Sequence, residues 1–224
     1  MFNHNLLMAA GATTQPDFGL TFISSQYEDG SSQTEYTWSD ISFGSDSSDF
    51  KHIIIGISSG GSRPFPDSWY PTTTVAGTTC TDLIRIGSSN NDGGTCLQIV
   101  KTTATSGDLV VTFKGSGTRV DVGIWQMLSG SATVSDSFTS TANPATGTID
   151  IPNPGCCVGI FTAWTSDTAT WTGLTEDFDR ASNGAGSGAS DFFASGATGR
   201  TVSVTPSGGP SQRSLCVASF GEAS

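Results

Sequence analysis

Few side chains of this protein are suited to acid–base or nucleophilic catalysis, and they lie far apart in the sequence. There are two histidines, His4 near the start and His52 beside an Ile-Ile-Ile run. A nucleophile needs a neighbouring base, yet neither histidine belongs to a GxSxG, HExxH or phosphate-loop motif. We therefore predict that the protein is not an enzyme and has no catalytic residue. We also predict that His52 is a structural histidine whose hydrogen bonds are satisfied.

One cluster of carboxylates stands out, in the segment TGLTEDFDR, where Glu176, Asp177 and Asp179 precede Arg180. Paired carboxylates can hydrolyse glycosidic bonds, and loop carboxylates can bind Ca²⁺. The spacing does not match an EF-hand loop, and Arg180 can neutralise one carboxylate. The pattern favours a solvated or inter-subunit loop, so we predict no metal ligand and no cofactor.

A second group of candidate residues is aromatic and lies in the proline-rich stretch Arg63–Pro71. Prolines interrupt strand pairing, so this stretch is predicted to be a loop. Its aromatic residues, Phe65, Trp69 and Tyr70, could form a surface on which sugar rings stack. The alternative is that they cap the domain or contact a neighbouring subunit, because aromatic side chains contribute much of the area of protein interfaces.

The elements that would position these side chains are predicted to be strands. The chain has 28 glycines, and 13% of its residues are charged, against about 25% in an average domain. Short runs rich in Val, Ile, Thr and aromatic residues alternate with turn signals about every 8–12 residues, which is typical of a sandwich or barrel. We predict an all-β protein, an antiparallel β-sandwich of jelly-roll or Ig-like type, with a single domain over residues 19–224.

Glycine-rich stretches are predicted to reverse or loop the chain. Ser88–Gly94 is typical of a hairpin turn, Lys114–Thr118 would join two strands, and Ala181–Ala189 is predicted to be a surface loop. The alternation over residues 119–128 predicts one face with Val120, Val122 and Ile124, and an opposite face with Asp121, Gly123 and Trp125.

The N-terminal segment, MFNHNLLMAAGATTQPDFG, is short and apolar and has no basic side chain before Lys51 except its histidine. A signal peptide would carry positive charge ahead of a longer apolar run, so a secretion signal is not predicted. We expect residues 1–18 to form an extended arm. Its apolar side chains, which another subunit would bury, are Phe2, Leu6, Leu7 and Met8.

Charge and cysteine content narrow the class of partner. The formal net charge of −11 opposes binding to nucleic acid or to an anionic membrane surface. Five cysteines without CxxC spacing match neither a zinc site nor a disulfide framework. We expect buried thiols, with Cys156 and Cys157 on opposite faces of one strand. A bridge between Cys80 and Cys96 remains an alternative.

Several segments together resemble small structural proteins of tailed bacteriophages, particularly phages of marine bacteria. They are MFNHNLLMAAGA, YTWSDISFGS, GDLVVTFKGSGTRVDVGIWQML, TWTGLTEDFD and RSLCVASFGEAS. The resemblance extends over nearly the whole chain but includes no catalytic motif. It implies a β-sandwich component of the virion, assembled in the host cytoplasm, and it assigns no functional residues.

The resemblance and the composition lead to one expected function and two alternatives. The expectation is a capsid decoration, or cement, protein that binds the major capsid protein or other virion subunits and forms homo-oligomers. One alternative is a tail or fibre-associated protein that binds host glycans through Phe65, Trp69 and Tyr70 of the proline-rich stretch Arg63–Pro71, which we call the aromatic loop. The other, in a different class, is a carbohydrate-active enzyme that uses Glu176 and a partner carboxylate.

Overall fold

The structure is a computed structural model that describes residues 15–64, 70–88, 92–164, 168–180, 185–210 and 212–224. These residues contain no helix long and apolar enough to cross a membrane. Fifteen strands are described: β1 (Gly19–Ser42), β2 (Lys51–Pro64), β3 (Thr72–Val75), β4 (Thr78–Thr79), β5 (Thr81–Gly87), β6 (Asp92–Lys101), β7 (Ser106–Leu128), β8 (Asp136–Ser140), β9 (Ala145–Ile151), β10 (Gly155–Ala163), β11 (Ala169–Thr172), β12 (Thr175–Arg180), β13 (Ala185–Phe193), β14 (Ala197–Pro206) and β15 (Arg213–Gly221). The all-β prediction is confirmed.

The strands form three antiparallel sheets. The first sheet has the order β4-β3-β7-β2-β6-β5, with β1 paired to β7. The second, middle sheet has the order β12-β13-β10-β15-β8, and the third is β11-β14-β9. The predicted antiparallel sandwich is therefore confirmed, with a third sheet as an additional layer.

The middle sheet is covered on both faces, as its nearly continuous apolar strand β10 requires. Cys156, Val158 and Ile160 belong to the core shared with the first sheet. Cys157 and Phe161 belong to the core shared with the third sheet. The two adjacent cysteines thus face opposite layers, as predicted.

A third core lies within the first sheet. Ile55 of β2 packs in one cluster with Val111 and Val122, which come from the two ends of β7. Only the C-terminal end of β7 pairs with β2, so the sheet must curve around this core. The predicted alternation in β7 is confirmed, because Val122 faces this core while Trp125 faces the middle sheet.

The turn predicted at Lys114–Thr118 is wrong. These residues lie inside β7, a single strand of 23 residues that pairs with β1 along its length. Gly117 is the register partner of Gln33, and the Tyr36 hydroxyl donates a hydrogen bond to the Gly117 carbonyl oxygen at 2.7 Å. The pairing register shifts on both sides of Gln33, so this glycine-rich stretch bends the ribbon instead of reversing it.

The surface loop predicted at Ala181–Ala189 is also wrong in its second half, since β13 begins at Ala185. A Cβ atom on Gly186 would lie 2.3 Å from Oδ2 of Asp121, and one on Gly188 would lie 2.3 Å from Cε1 of Phe178. The glycines therefore allow side chains from β7 and β12 to lie directly against β13. The hairpin predicted around Ser88–Gly94 is consistent with the pairing of Gly87 and Gly94.

Candidate functional site

The segment with Glu176, Asp177 and Asp179 is strand β12, not the predicted loop. It forms one edge of the middle sheet and packs beside β1 and β7 of the first sheet. We call this region the interlayer seam. It consists of Phe22, Ser25, Tyr27, Asp121, Trp125, Asp177, Phe178, Arg180 and Gly186.

The carboxylates of β12 accept hydrogen bonds from different parts of the fold. Oδ2 of Asp177 accepts a hydrogen bond from Nε1 of Trp125 at 2.8 Å. Oδ2 of Asp179 accepts one from the backbone nitrogen of Ala169 at 2.9 Å. Glu176 is exposed. No group of three or more metal-ligating side chains is found in the described ranges. The hydrogen bonds of Asp177 and Asp179 connect the middle sheet to the first and third sheets.

Burial raises the pKa of Asp177 and Asp179, and hydrogen bonds partly oppose this effect. Partial desolvation by the neighbouring strands also raises the pKa of Glu176, although its side chain is largely exposed, and the charge of Asp179 raises it further. A raised carboxyl pKa is one sign of a functional site. Here desolvation is the main cause, because sheets pack over the strand, and the shifts require no substrate.

The Arg180 side chain does not pair with the β12 carboxylates in the contacts described here; it extends to the first sheet. Its Nη2 donates a hydrogen bond to Oγ of Ser25 at 3.1 Å, and its guanidinium carbon lies 5.3 Å from the centre of the Tyr27 ring. Its Nε lies 3.9 Å from Oδ1 of Asp121. Arg180 therefore faces Asp121 of the first sheet at the outer limit of an ion pair, and sequence reasoning did not identify this partner.

Asp121 is the most deeply buried carboxylate in the interlayer seam, with 1% of its surface exposed. Burial raises its pKa to about 7, although Arg180 and Arg119 act in the opposite direction. The nearby charges of Asp29 and Asp179 add to the rise. The alternation in β7 could place Asp121 on this face, but only the packing of β13 over it shows that it is buried.

Aromatic rings complete the interlayer seam. The Trp125 ring centre lies 5.7 Å from that of Phe22 and 6.3 Å from that of Phe178. Phe22 and Phe178 are stacked at 5.9 Å. Such pairs add about 0.5–1.5 kcal/mol each beyond the area that they bury. The seam is therefore a structural junction between two sheets.

The aromatic loop lies mostly outside the described residues, including Phe65 and Trp69. Tyr70 is described and half-buried. The guanidinium carbon of Arg85 lies 3.8 Å from the centre of its ring, and Arg85 also forms an ion pair with Asp82 at 2.9 Å. One face of the Tyr70 ring is thus covered by a cation.

The predicted arm residues Phe2, Leu6, Leu7 and Met8 lie outside the described residues, as does His4. The described chain begins at Gln15 and is anchored almost at once. Phe18 is buried, and its ring packs edge-on against Phe192 with a centroid distance of 5.5 Å.

Two further predictions concern His52 and the thiols. His52 is half-buried, and burial together with Lys101 lowers its pKa. Its Nδ1 has no hydrogen-bond partner, so the prediction of a satisfied histidine is wrong. All five cysteines are free, Cys80 and Cys96 included. Burial raises the pKa of Cys80 to about 12.

β1 forms an edge of the first sheet. It pairs with β7 on one side, and no described strand pairs with its other side. Four register shifts interrupt the pairing of this strand. Irregularities of this kind discourage uncontrolled pairing between the edges of soluble β proteins.

Comparison with known proteins gives no family assignment: no protein-family model matches the chain, and no curated protein is significantly similar to it.

Proposed function

We propose that the chain is a non-enzymatic structural protein of a tailed-bacteriophage virion, and specifically a decoration protein that binds the major capsid lattice. The observation that carries the proposal is the all-β fold of antiparallel sheets, which agrees with the fold that the resemblance implies. In this proposal the apolar side chains of the N-terminal segment, Phe2, Leu6, Leu7 and Met8, make the contact with a partner.

The surface of the body supports an association through the N-terminal segment. Among the residues that the structure describes, Phe192 is the one large hydrophobic side chain classed as exposed, at 42%. A stable interface normally needs an apolar centre. An apolar arm that docks on a neighbour would supply it, and the symmetry of a shell would repeat the contact many times.

The chemistry of the thiols and the net charge agree with this role. Free thiols, four of them buried and Cys80 half-buried, suit a protein that is assembled in a reducing cytoplasm. The net charge of −11 keeps free subunits soluble and opposes binding to packaged DNA. In this proposal the major capsid protein, or another virion subunit, is the partner, and copies of the chain associate with one another on the shell.

Quantitative mass spectrometry of purified virions tests the location. A decoration protein is expected in hundreds of copies per particle, as the symmetry of a capsid shell requires. A count in the tens would place the chain in the tail and refute the capsid role. No count at all would refute a virion role of any kind.

Deletion of residues 2–14 tests the arm, because it leaves the anchor at Phe18 in place. Binding to undecorated capsids should be lost, while binding by an Asn3→Ser, Asn5→Ser control should persist. Capsid binding by the deletion variant at full affinity would refute the arm-based mechanism.

A further inference from the structure

A cavity of about 240 Å³ lies along β1, at the edge of the first sheet. Its described lining residues belong to this one strand and are Glu28, Gln33, Tyr36, Thr37 and Trp38. We call it the β1 cavity. It lies where the pairing of β1 with β7 is irregular, since the register shifts on both sides of Gln33. The bend in the strand therefore brings Glu28 into the same cavity as Trp38.

The aromatic side of the β1 cavity is held in place by the core of the first sheet. Tyr36 is 2% exposed, and its hydroxyl donates a hydrogen bond to the Gly117 carbonyl oxygen at 2.7 Å. Its ring packs edge-on against Phe113, with a centroid distance of 6.1 Å. The Trp38 ring is stacked on that of Tyr36 at 6.2 Å and is half-buried. The indole is thus oriented by its neighbours while part of it stays accessible to solvent.

Polar groups form the rest of the lining. Gln33 and Thr37 are exposed, and Glu28 is half-buried. A carboxylate accepts hydrogen bonds, and an amide or a hydroxyl can both donate and accept them. Aromatic rings combined with a few polar groups orient small ligands in binding sites. A sugar ring matches this combination, because it has C–H groups on its faces and hydroxyl groups around its rim.

The size and the charge of the β1 cavity narrow the class of ligand. Its volume is below the range of about 300–1,000 Å³ that is usual for drug-sized ligands, so it suits a single sugar ring. Glu28 contributes negative charge, and the nearby Arg119 forms an ion pair with Asp29 at 3.5 Å. Together with the net charge of −11, this disfavours an anionic ligand.

We propose that the β1 cavity binds a neutral saccharide, one sugar ring at a time. Trp38 packs against the C–H face of the ring, Glu28 accepts hydrogen bonds from its hydroxyl groups, and Gln33 both donates and accepts them. These three residues lie outside the aromatic loop. The inference goes beyond the proposed function and does not depend on it.

An NMR titration of the isotope-labelled full chain tests the proposal, with methyl glucoside, methyl galactoside and N-acetylglucosamine as probes. At least one of them should bind with a Kd on the order of a millimolar, as is usual for so small a ligand. Binding should shift the indole resonance of Trp38 and the amide resonances of Gln33 and Thr37. Sialic acid, the acidic comparator, should bind about tenfold more weakly or not at all because of its charge. The proposal is overturned if none of the neutral sugars shifts these resonances, or if sialic acid binds equally well.

Substitutions then show whether the bound sugar occupies the β1 cavity. Glu28→Ala and Trp38→Ala should each weaken binding by about tenfold or more, whereas Trp38→Phe keeps an aromatic face and should retain most of the affinity. Phe192→Ala, which removes an exposed ring elsewhere on the surface, is the matched control and should bind like the native protein. Trp38 also packs against the core, so Glu28→Ala decides the outcome if Trp38→Ala does not fold.

Unchanged affinity in Glu28→Ala would overturn the proposal, and so would an equal loss of affinity in Phe192→Ala. The number of copies in a virion has no bearing on these results, so failure of this inference and failure of the proposed function are distinguishable.

Discussion

The buried carboxylate of Asp121 predicts an unusual dependence of stability on pH. Its pKa is about 7 in the folded protein and 3.8 in the ordinary, solvated state. Between these values the folded protein binds more protons than the unfolded chain, so the free energy of unfolding falls as pH rises through the window. A shift of about three units, at about 1.4 kcal/mol for each unit, corresponds to a loss of up to about 4 kcal/mol between pH 4 and pH 7.

Asp121→Asn removes this titration while it keeps the size of the side chain. Urea unfolding of both proteins at pH 4.5, 5.5, 6.5 and 7.5 gives the difference in stability between them at each pH. Contributions from the other titrating groups largely cancel in that difference. The advantage of the native protein over the variant should shrink by several kcal/mol, on the order of the loss given by the linkage relation, from the lowest to the highest pH.

Carbon NMR of the Asp121 carboxyl group provides a direct check of the same reasoning. The resonance should titrate near pH 7, with Arg180 and Arg119 nearby but unable to offset the burial. A midpoint near 4, together with a pH-independent stability difference, would show that the interlayer seam solvates this carboxylate and that the argument from burial is incorrect.

Three other outcomes follow from buried polar groups. Trp125→Phe leaves Asp177 without its indole donor and should lower the free energy of unfolding by about 1–3 kcal/mol, measured by urea unfolding. Lys51→Met leaves the carbonyl oxygens of Asp46 and Ala104 without the ammonium donor; a similar loss is expected, and an unchanged midpoint would contradict the assigned contacts. The thiols should not react with a disulfide reagent in the native state and should all react in denaturant, because burial raises the pKa of Cys80, Cys156 and Cys216 to about 12.

Apolar alternation in the sequence predicted much of the fold correctly. The Ile-Ile-Ile run became β2, and the alternation in β7 placed Val122 and Trp125 on opposite faces. These predictions succeed because side chains alternate strictly along a strand, and the two faces of these strands pack against different layers. The two faces of such a strand can therefore be predicted without knowing which layers pack against them.

The predictions that rested on glycine failed, because glycine is common both in turns and in strands that pack closely against another layer. A glycine can reverse the chain, or it can let another layer approach the backbone closely. Gly117 in β7 and Gly186 in β13 belong to strands, yet both lie in stretches with the composition of turns. The distinction depends on a residue distant in sequence, such as Asp121 against Gly186.

The candidate site was also mispredicted because its contacts are with residues that are distant in the sequence. The carboxylates of β12 looked like a solvated loop, since TEDFDR has no apolar alternation. Trp125, which donates to Asp177, and Asp121, which faces Arg180, lie more than 50 residues earlier in the chain. Local sequence carries no information on a junction of this kind.

The pairing of β1 with β7 sets the order in which the chain can fold as it is synthesised. Ser42 pairs with Ser106, and Gly19 pairs with Leu128. At about 5–20 residues per second, the ribosome adds the intervening stretch from Ser42 to Ser106 in roughly 3 to 13 seconds. During that interval β1 has no native partner, and such long-range pairing is slow to form. The early part of the chain is thus exposed to association with other nascent chains, and a chaperone that binds extended segments would act there first.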